Sequence, residues 1–330
     1  NVAQLESQAA SKIGSKFAIG VASGSDALYL ALWALGIGPG DEVITTPFTF
    51  FATAGSISRT GAKPVFADID PHTFNLDPKA FEKKITAKTK AVIPVHLFGL
   101  PCDMDAVQAI TKKKGLFIVE DAAQSFGATY QGKQTGSIGD AGCFSFFPTK
   151  NLGGAGDGGM VMTSSQELAE KIKTLRVYGS KKKYFHDVVG INSRLDEMQA
   201  AVILTKLKYI DEWNASRQTL ARHYNEGLKG LPLQTPQISP KAVSVFHIYS
   251  ILSGQRDALS EHLSKSGIGT GIYYPLPLHL QPCYASLGYK KGDFPVSESV
   301  ASRILALPIY PELTGESTDR VIQAIKAFCR

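Results

Sequence analysis

Cysteine is scarce in this chain, with four in 330 residues: Cys102, Cys143, Cys283 and Cys329. None belongs to a C-x-x-C pair or stands in a His/Cys cluster, so a zinc site is not expected. Thiols so widely spaced are read as reduced, which fits a cytoplasmic protein. Long apolar runs are also missing. The longest, Ala27 to Ile37, is too short to span a bilayer, and no secretory signal is visible. There are no internal repeats and no low-complexity tracts. Charge bias is slight, at a formal +6 from 35 basic and 29 acidic residues. The only basic runs, Lys112-Lys113-Lys114 and Lys181-Lys182-Lys183, are too short for a nucleic-acid arm. What remains, 44% hydrophobic and 19% charged, describes a globular chain able to bury a sizeable core.

The chain opens without Met, on Val2, Leu5, Ala9 and Ile13 at helical spacing, so further residues are expected to precede it. Strand and helix patterns then alternate. Strands are expected at Phe17 to Val21, Glu42 to Thr46, Pro64 to Asp68, Ala91 to Val95, Phe117 to Glu120, Gly142 to Phe147 and Gly159 to Thr163. Helices are expected at Asp26 to Leu35, Ala52 to Ser58, Pro78 to Lys84 and Asp103 to Lys112. This rhythm implies a mostly parallel sheet with helices on both faces. Ligands of such sheets sit at the carboxyl ends of the strands. From Leu195 to about Gly227, apolar residues at 3.6 spacing predict one long helix or two in sequence. The break at Gly230-Leu231-Pro232 then separates a large domain, 1–228, from a smaller α/β domain, 229–330. The latter should have strands near Ser244 to Leu252 and a helix near Ser317 to Phe328.

Lys150 is in an unusual place for a solvated charge. It lies in Ser145-Phe-Phe-Pro-Thr-Lys150-Asn-Leu-Gly-Gly-Ala-Gly-Asp-Gly-Gly159, between aromatics and glycines. Burial disfavours its ammonium form and frees the amine as a nucleophile, the property of a Schiff-base lysine. The glycines after it fit G-x-G-x-x-G on paper. The dinucleotide fingerprint needs a helix after the loop, and here a strand follows. The glycines are better read as a tight turn or close backbone approach. A phosphate site is expected instead at Val21-Ala-Ser-Gly24-Ser25-Asp-Ala27, where a strand ends and a helix begins, because helix N-termini offer free N–H groups and a positive dipole end. The same residues also fit a plain helix cap. Asp121 and Gln124 follow the strand Phe117-Ile-Val-Glu120. Asp121 is placed to hold a protonated ring nitrogen, or else is a cap. Phe50 is the candidate for stacking on a flat cofactor, with Phe51 turned inward. A lysine, a carboxylate, a helix N-terminus and an aromatic are together the parts of a pyridoxal 5′-phosphate site.

These residues resemble the DegT/DnrJ/EryC1/StrS sugar aminotransferases, of the aspartate-aminotransferase fold type. The likeness runs over nearly the whole chain. It includes Ser23 to Leu28, Gly40 to Ile44, Phe66 to Asp70, Pro94 to Gly99, Glu120 to Gln124, Ser145 to Gly159, Gly190 to Ala200 and Tyr274 to Gln281. The resemblance implies an α/β fold: a large domain with a mostly parallel seven-stranded sheet flanked by helices, plus a smaller C-terminal α/β domain. It implies that Lys150 binds the cofactor covalently and moves the proton, that Asp121 pairs with the ring nitrogen and Gln124 with the phenolic oxygen, and that Gly24, Ser25 and Ser145 hold the phosphate. Asn192 would reach the phosphate of a neighbouring subunit's cofactor, so the expected active unit is a homodimer. Ser25 stands where threonine is usual, and Tyr178 where many relatives have histidine. The implied substrates are L-glutamate and a nucleotide-linked keto-hexose, with Tyr184, His186, Arg194, Tyr274 and His279 as sugar contacts. The stretch Tyr273 to Gln281 is closer to relatives that aminate C3 than to those that aminate C4. His279 can equally be structural, and Lys181 to His186 can be a solvated loop. Two other classes stay open, a dehydratase and a non-enzymatic regulator. The dehydratases typically replace the lysine that Lys150 retains, and no recognition helix supports a regulator.

Overall fold

The computed structural model describes residues 1–329. Seven strands form one sheet in the order Phe17–Val21, Gly159–Thr163, Ala141–Ser145, Phe117–Asp121, Thr89–Val92, Glu42–Thr45, Lys63–Phe66. All run parallel except Gly159–Thr163, which is antiparallel to both neighbours. The exception has a simple cause. Residues 146–158 contain no helix, and a parallel return needs a crossover, usually helical. Because the other six strands share a direction, their carboxyl ends lie along one edge of the sheet.

The helix Gly24–Ala34 occupies the centre of one layer. Ala27, Leu28, Leu30, Ala31, Leu32 and Ala34 are all buried, so it is apolar nearly all round. That suits a helix enclosed by the sheet on one side and the helices Phe51–Arg59 and Gln166–Leu175 on the other. Its start is fixed by Ser23, whose Oγ accepts from the Asp26 N–H at 3.1 Å. The N-terminal helix Val2–Ile13 covers the opposite face with Leu5, Ala9 and Ile13, against Ile203 and Leu207.

The segment expected to hold one helix or two holds two, Glu197–Leu207 and Ile210–Gly227. The second packs Ala221 and Tyr224 against Leu259, Leu263, Val321 and Ile325. These belong to helices laid on a three-stranded antiparallel sheet of Leu233–Gln234, Tyr249–Ser253 and Ile304–Leu307. The strand expected from Ser244 to Leu252 is shorter, and begins only at Tyr249. Phe246 has φ 43, outside the extended region. The Val245 N–H donates instead to the Gly99 carbonyl at 3.1 Å. No described helix is long and apolar enough to cross a membrane.

Candidate active site

The strand ends open onto a cavity of about 930 Å³. Lys150, Asp121, Gln124, Ser145, Gly24, Ser25, Phe50 and Tyr274 all line it. Residues more than 120 positions apart in sequence are thus brought to one space. The glycine-rich loop makes this possible. Gly159 is in register with both Val21 and Ser145, and a Cβ on it would lie 2.3 Å from the Ser23 carbonyl. Gly24 is equally confined, since a Cβ there would lie 2.6 Å from Cβ of Ser145. These glycines serve the chain's own backbone approach, bringing the helix start beside Ser145.

Strand alternation separates two adjacent acids. Glu120 points away from the cavity and accepts from the N–H groups of Gly136, Ile138 and Gly139, and pairs with His96 at 2.8 Å. Asp121 faces the cavity. Its Oδ2 accepts from Thr53 Oγ1 at 2.7 Å and its Oδ1 from the Ala123 N–H at 3.2 Å. Burial pushes the Asp121 carboxyl up, against the lowering effects of Thr53, Ala123 and the Lys150 ammonium. Lys150 shows the complementary effect. Desolvation lowers its pKa, opposed only by the attraction of Asp121. A buried carboxylate of this kind gains from a fixed positive partner. A protonated ring nitrogen would supply one, and the free N–H groups at Gly24 and Ser25 suit a phosphate. The residues therefore fit pyridoxal phosphate.

Gln124 is locked in orientation. Its Oε1 accepts from the Phe98 N–H at 2.7 Å and its Nε2 donates to the Tyr274 hydroxyl at 3.2 Å. Phe50 exposes 56% of its surface beside the cavity, its ring 6.1 Å from that of Tyr274. Phe51 is not turned inward as expected. It is 47% exposed and stacks on Tyr284 at 5.9 Å, because the helix begins at Phe51 and breaks the extended alternation. The inward ring is Phe48, fully buried.

His279 does not reach the cavity. It is buried, with Nε2 3.1 Å from Glu298 and its ring edge-on to Phe294. The turn that carries it, Leu278–Leu280, is held down by the Leu278 N–H bond to the Pro47 carbonyl. Its structural reading is the correct one, and the assignment as a sugar contact is withdrawn. Tyr184, His186, Asn192 and Arg194 are exposed and lie outside this chain's cavity. Tyr184 and His186 belong to a surface hairpin, where Lys182 and Lys183 lie over the rings of Phe185 and Tyr184 at 5.0 Å.

Sequence reading missed Thr53, which lies buried behind the cavity and orients Asp121, and it missed His247 and Arg217, which line the cavity. His247 and Arg217 carry no signal in the sequence, since one follows an apolar pair and the other looks like a surface helical arginine. Among the described residues no His, Cys, Asp and Glu cluster could hold a metal ion.

Fold and site together define a fold type I, pyridoxal-phosphate-dependent aminotransferase. The model of the DegT/DnrJ/EryC1/StrS aminotransferase family matches residues 1–326, and the chain belongs to that family. It is 53% identical to a "pleiotropic regulatory protein" of Geobacillus stearothermophilus, over 100% of this chain and 89% of that one. It is 47% identical to a UDP-N-acetyl-3-dehydro-α-D-glucosamine 3-aminotransferase of Acidithiobacillus ferrooxidans, over 98% of this chain and 87% of that one. Among solved structures, S. venezuelae DesV in complex with a ketimine intermediate superposes with a TM-score of 0.98 at 46% identity. That match covers 100% of this chain and 89% of that one. The family acts on nucleotide sugars as an aminotransferase.

Proposed function

We propose that this protein transfers the amino group of L-glutamate to the C3 keto group of a nucleotide-linked hexose. The observation that carries the reading is the facing of Lys150 and Asp121 across one cavity at the strand ends. Bound pyridoxal phosphate supplies the aldehyde that takes up the amino group and the ring that accepts the electron pair. Gly24, Ser25 and Ser145 would hold its phosphate, and Phe50 would lie against its ring. Asp121, oriented by Thr53, would keep a proton on the ring nitrogen. Gln124 would meet the phenolic oxygen. Lys150 would hold the group through Nζ. With the donor bound, that same Nζ would take the proton from the donor's α-carbon, because burial keeps its amine available for the exchange. Tyr274 borders the space left for the sugar.

C3 selectivity is supported by the likeness to the Acidithiobacillus 3-aminotransferase and by the stretch Tyr273 to Gln281. A homodimer with shared sites is supported by the position of Asn192. It is exposed outside its own chain's cavity and backbone-paired to Val177, where it can reach a second copy. Tyr184, His186 and Arg194 lie on the same exposed stretch and are assigned to the sugar bound in that neighbour.

The test is the absorbance spectrum of the protein with pyridoxal phosphate, before and after L-glutamate. Conversion of the pyridoxal band to the pyridoxamine band, absent in Lys150→Ala, is expected. A panel of 3-keto and 4-keto nucleotide sugars then reads the position. Amination only at C4 would overturn the C3 reading.

A further inference from the structure

Asn75 is buried outside the cavity, in the turn before the helix Pro78–Lys83. Both ends of its amide are spent on one short segment. Oδ1 accepts from the Leu97 N–H at 3.1 Å, and Nδ2 donates to the Leu100 carbonyl at 2.9 Å. Because both partners are backbone groups of fixed character, the amide has one orientation. Asn75 therefore clamps the two ends of the turn Leu97–Leu100. Inside the clamp, Phe98 is held at φ 57, a left-handed backbone that a bulky residue rarely adopts. Such a conformation persists only where its surroundings over-determine it. The Phe98 ring is packed with Phe48, Phe74 and Leu97, and the Gly99 carbonyl accepts from the Val245 N–H at 3.1 Å.

What this turn presents to the site is the Phe98 N–H, which donates to Gln124 Oε1 at 2.7 Å. With Oε1 taken, Nε2 of Gln124 must face the other way, where it donates to the Tyr274 hydroxyl at 3.2 Å. An amide nitrogen carries two N–H groups, so one remains for a ligand. Asp121, Asp157, Lys150, Arg217, His96 and His247 are the charged or titratable groups around the cavity, with Tyr273, Tyr274 and Tyr310. The Asn75 amide goes to backbone instead, so replacing it with a neutral residue alters no charge at the site.

We propose that Asn75 is a positioning residue: by clamping the turn Leu97–Leu100 it aims the Phe98 N–H, fixes the direction of the Gln124 amide, and so sets the hydrogen bond to the cofactor's phenolic oxygen. This rests on the transaminase reading, in which Gln124 meets that oxygen. It places part of the control of the cofactor in a residue that touches neither cofactor nor substrate.

The experiment reads the protonation midpoint of the bound cofactor from the pH dependence of its absorbance band, in wild type, Gln124→Leu, Asn75→Ala and the double variant. A donor to the phenolic oxygen favours its ionised form, so losing the donor raises the midpoint. Gln124→Leu should raise it by about one unit, the scale of losing a hydrogen bond to a charged group. Asn75→Ala should move it in the same direction and add almost nothing once Gln124 is gone. A merely structural asparagine would leave the midpoint in place or shift it equally in both backgrounds, and either result overturns the inference. In the cofactor-free protein, amide exchange at Phe98 should speed up about tenfold or more in Asn75→Ala, and an unchanged rate overturns it too. Should Asn75→Ala fail to fold, Asn75→Asp decides by the same comparison, since it cannot donate to Leu100 and its charge acts alike in both backgrounds. Should neither fold, amide exchange in the wild type decides: the Leu97 and Phe98 N–H groups should open together, and a Phe98 N–H that exchanges by itself overturns the clamp. If Gln124→Leu leaves the midpoint in place, the reading of Gln124 falls and this inference with it. If Gln124→Leu moves it and the Asn75 variant does not, that reading stands and the inference alone falls.

Discussion

Nδ1 of His247 lies 3.0 Å from Oδ1 of Asn151, and the bond has one direction. The Asn151 amide nitrogen already donates to Asn214 Oδ1 at 2.9 Å and to the Val245 carbonyl at 3.1 Å. Its Oδ1 must therefore accept, so His247 carries its proton on Nδ1 and turns a bare Nε2 to the cavity. Asn214 in turn donates to the Phe126 carbonyl at 3.0 Å. The residue after Lys150 is thereby tied to the helix Ile210–Gly227.

Asn151→Leu should break this chain, leaving the Asn214 and Val245 acceptors and the His247 donor without partners. Each orphaned buried group costs about 1–3 kcal/mol. Denaturant unfolding should show a loss in that range at least. An unchanged midpoint would mean water replaces the amide.

Thr53→Val keeps the shape at the floor of the site and removes one bond to the Asp121 carboxylate. Hydrogen bonds to charged groups contribute about 1.5–3 kcal/mol. Asp121 should then hold the ring nitrogen less well, and the cofactor should dissociate about tenfold more readily or worse. Equilibrium dialysis against pyridoxal phosphate measures this, and unaltered retention would remove Thr53 from the site.

Gly24→Ala should be costly although it looks conservative. Its Cβ would fall 2.6 Å from that of Ser145, and such overpacking costs about 1–3 kcal/mol. Adding Ser145→Gly should recover stability while leaving phosphate retention impaired, because the Ser145 hydroxyl is gone. Recovery of both would deny Ser145 a place at the phosphate.

Lys150→Met should stabilise the cofactor-free protein at neutral pH. Desolvation lowers the Lys150 pKa below its ordinary 10.5. Between the lowered value and 10.5 the unfolded chain binds more protons, so stability rises with pH across that window. Below it the buried ammonium is a net cost, which methionine does not carry. The advantage of the variant should therefore shrink as pH rises through the window. A variant that is less stable at pH 7 would show that attraction to Asp121 outweighs desolvation.

Lys150→Ala and Asn192→Asp should each be inactive, the second by setting a carboxylate against a phosphate. If Asn192 serves the neighbouring site, mixed dimers contain one site with both native residues, and mixing should restore activity. Verified exchange of subunits without recovery would place Asn192 at its own chain's site.

Much of this protein was legible without coordinates, for local reasons. The parallel strands read clearly because they are short apolar runs between glycines and charged turns. Lys150 read clearly because a lysine among aromatics and glycines is out of place on a surface. Gly24, Ser25 and Gln124 read from the ends of their strands, the family likeness extended the reading to Ser145, and all four border the cavity. Helices such as Gln166–Leu175, Arg256–Lys265 and Pro295–Arg303 were passed over. Mixed polar stretches bury only a narrow stripe, and that stripe is defined by the partner it meets.

The sequence by itself determined the alternation of elements, the strand that follows the glycine-rich loop, and the candidate lysine and carboxylate at the strand ends. All of these rest on properties that residues carry with them: side-chain period, backbone freedom and intrinsic pKa. Only the tertiary structure decided which histidine and which arginine meet the cavity. His279 is closed off by Glu298 and Phe294, whereas His247 and Arg217 open onto the cavity from segments with no motif. The selection is physical. A polar group's role is set by which donors and acceptors the chain leaves unfilled around it, and those partners lie up to about a hundred residues away.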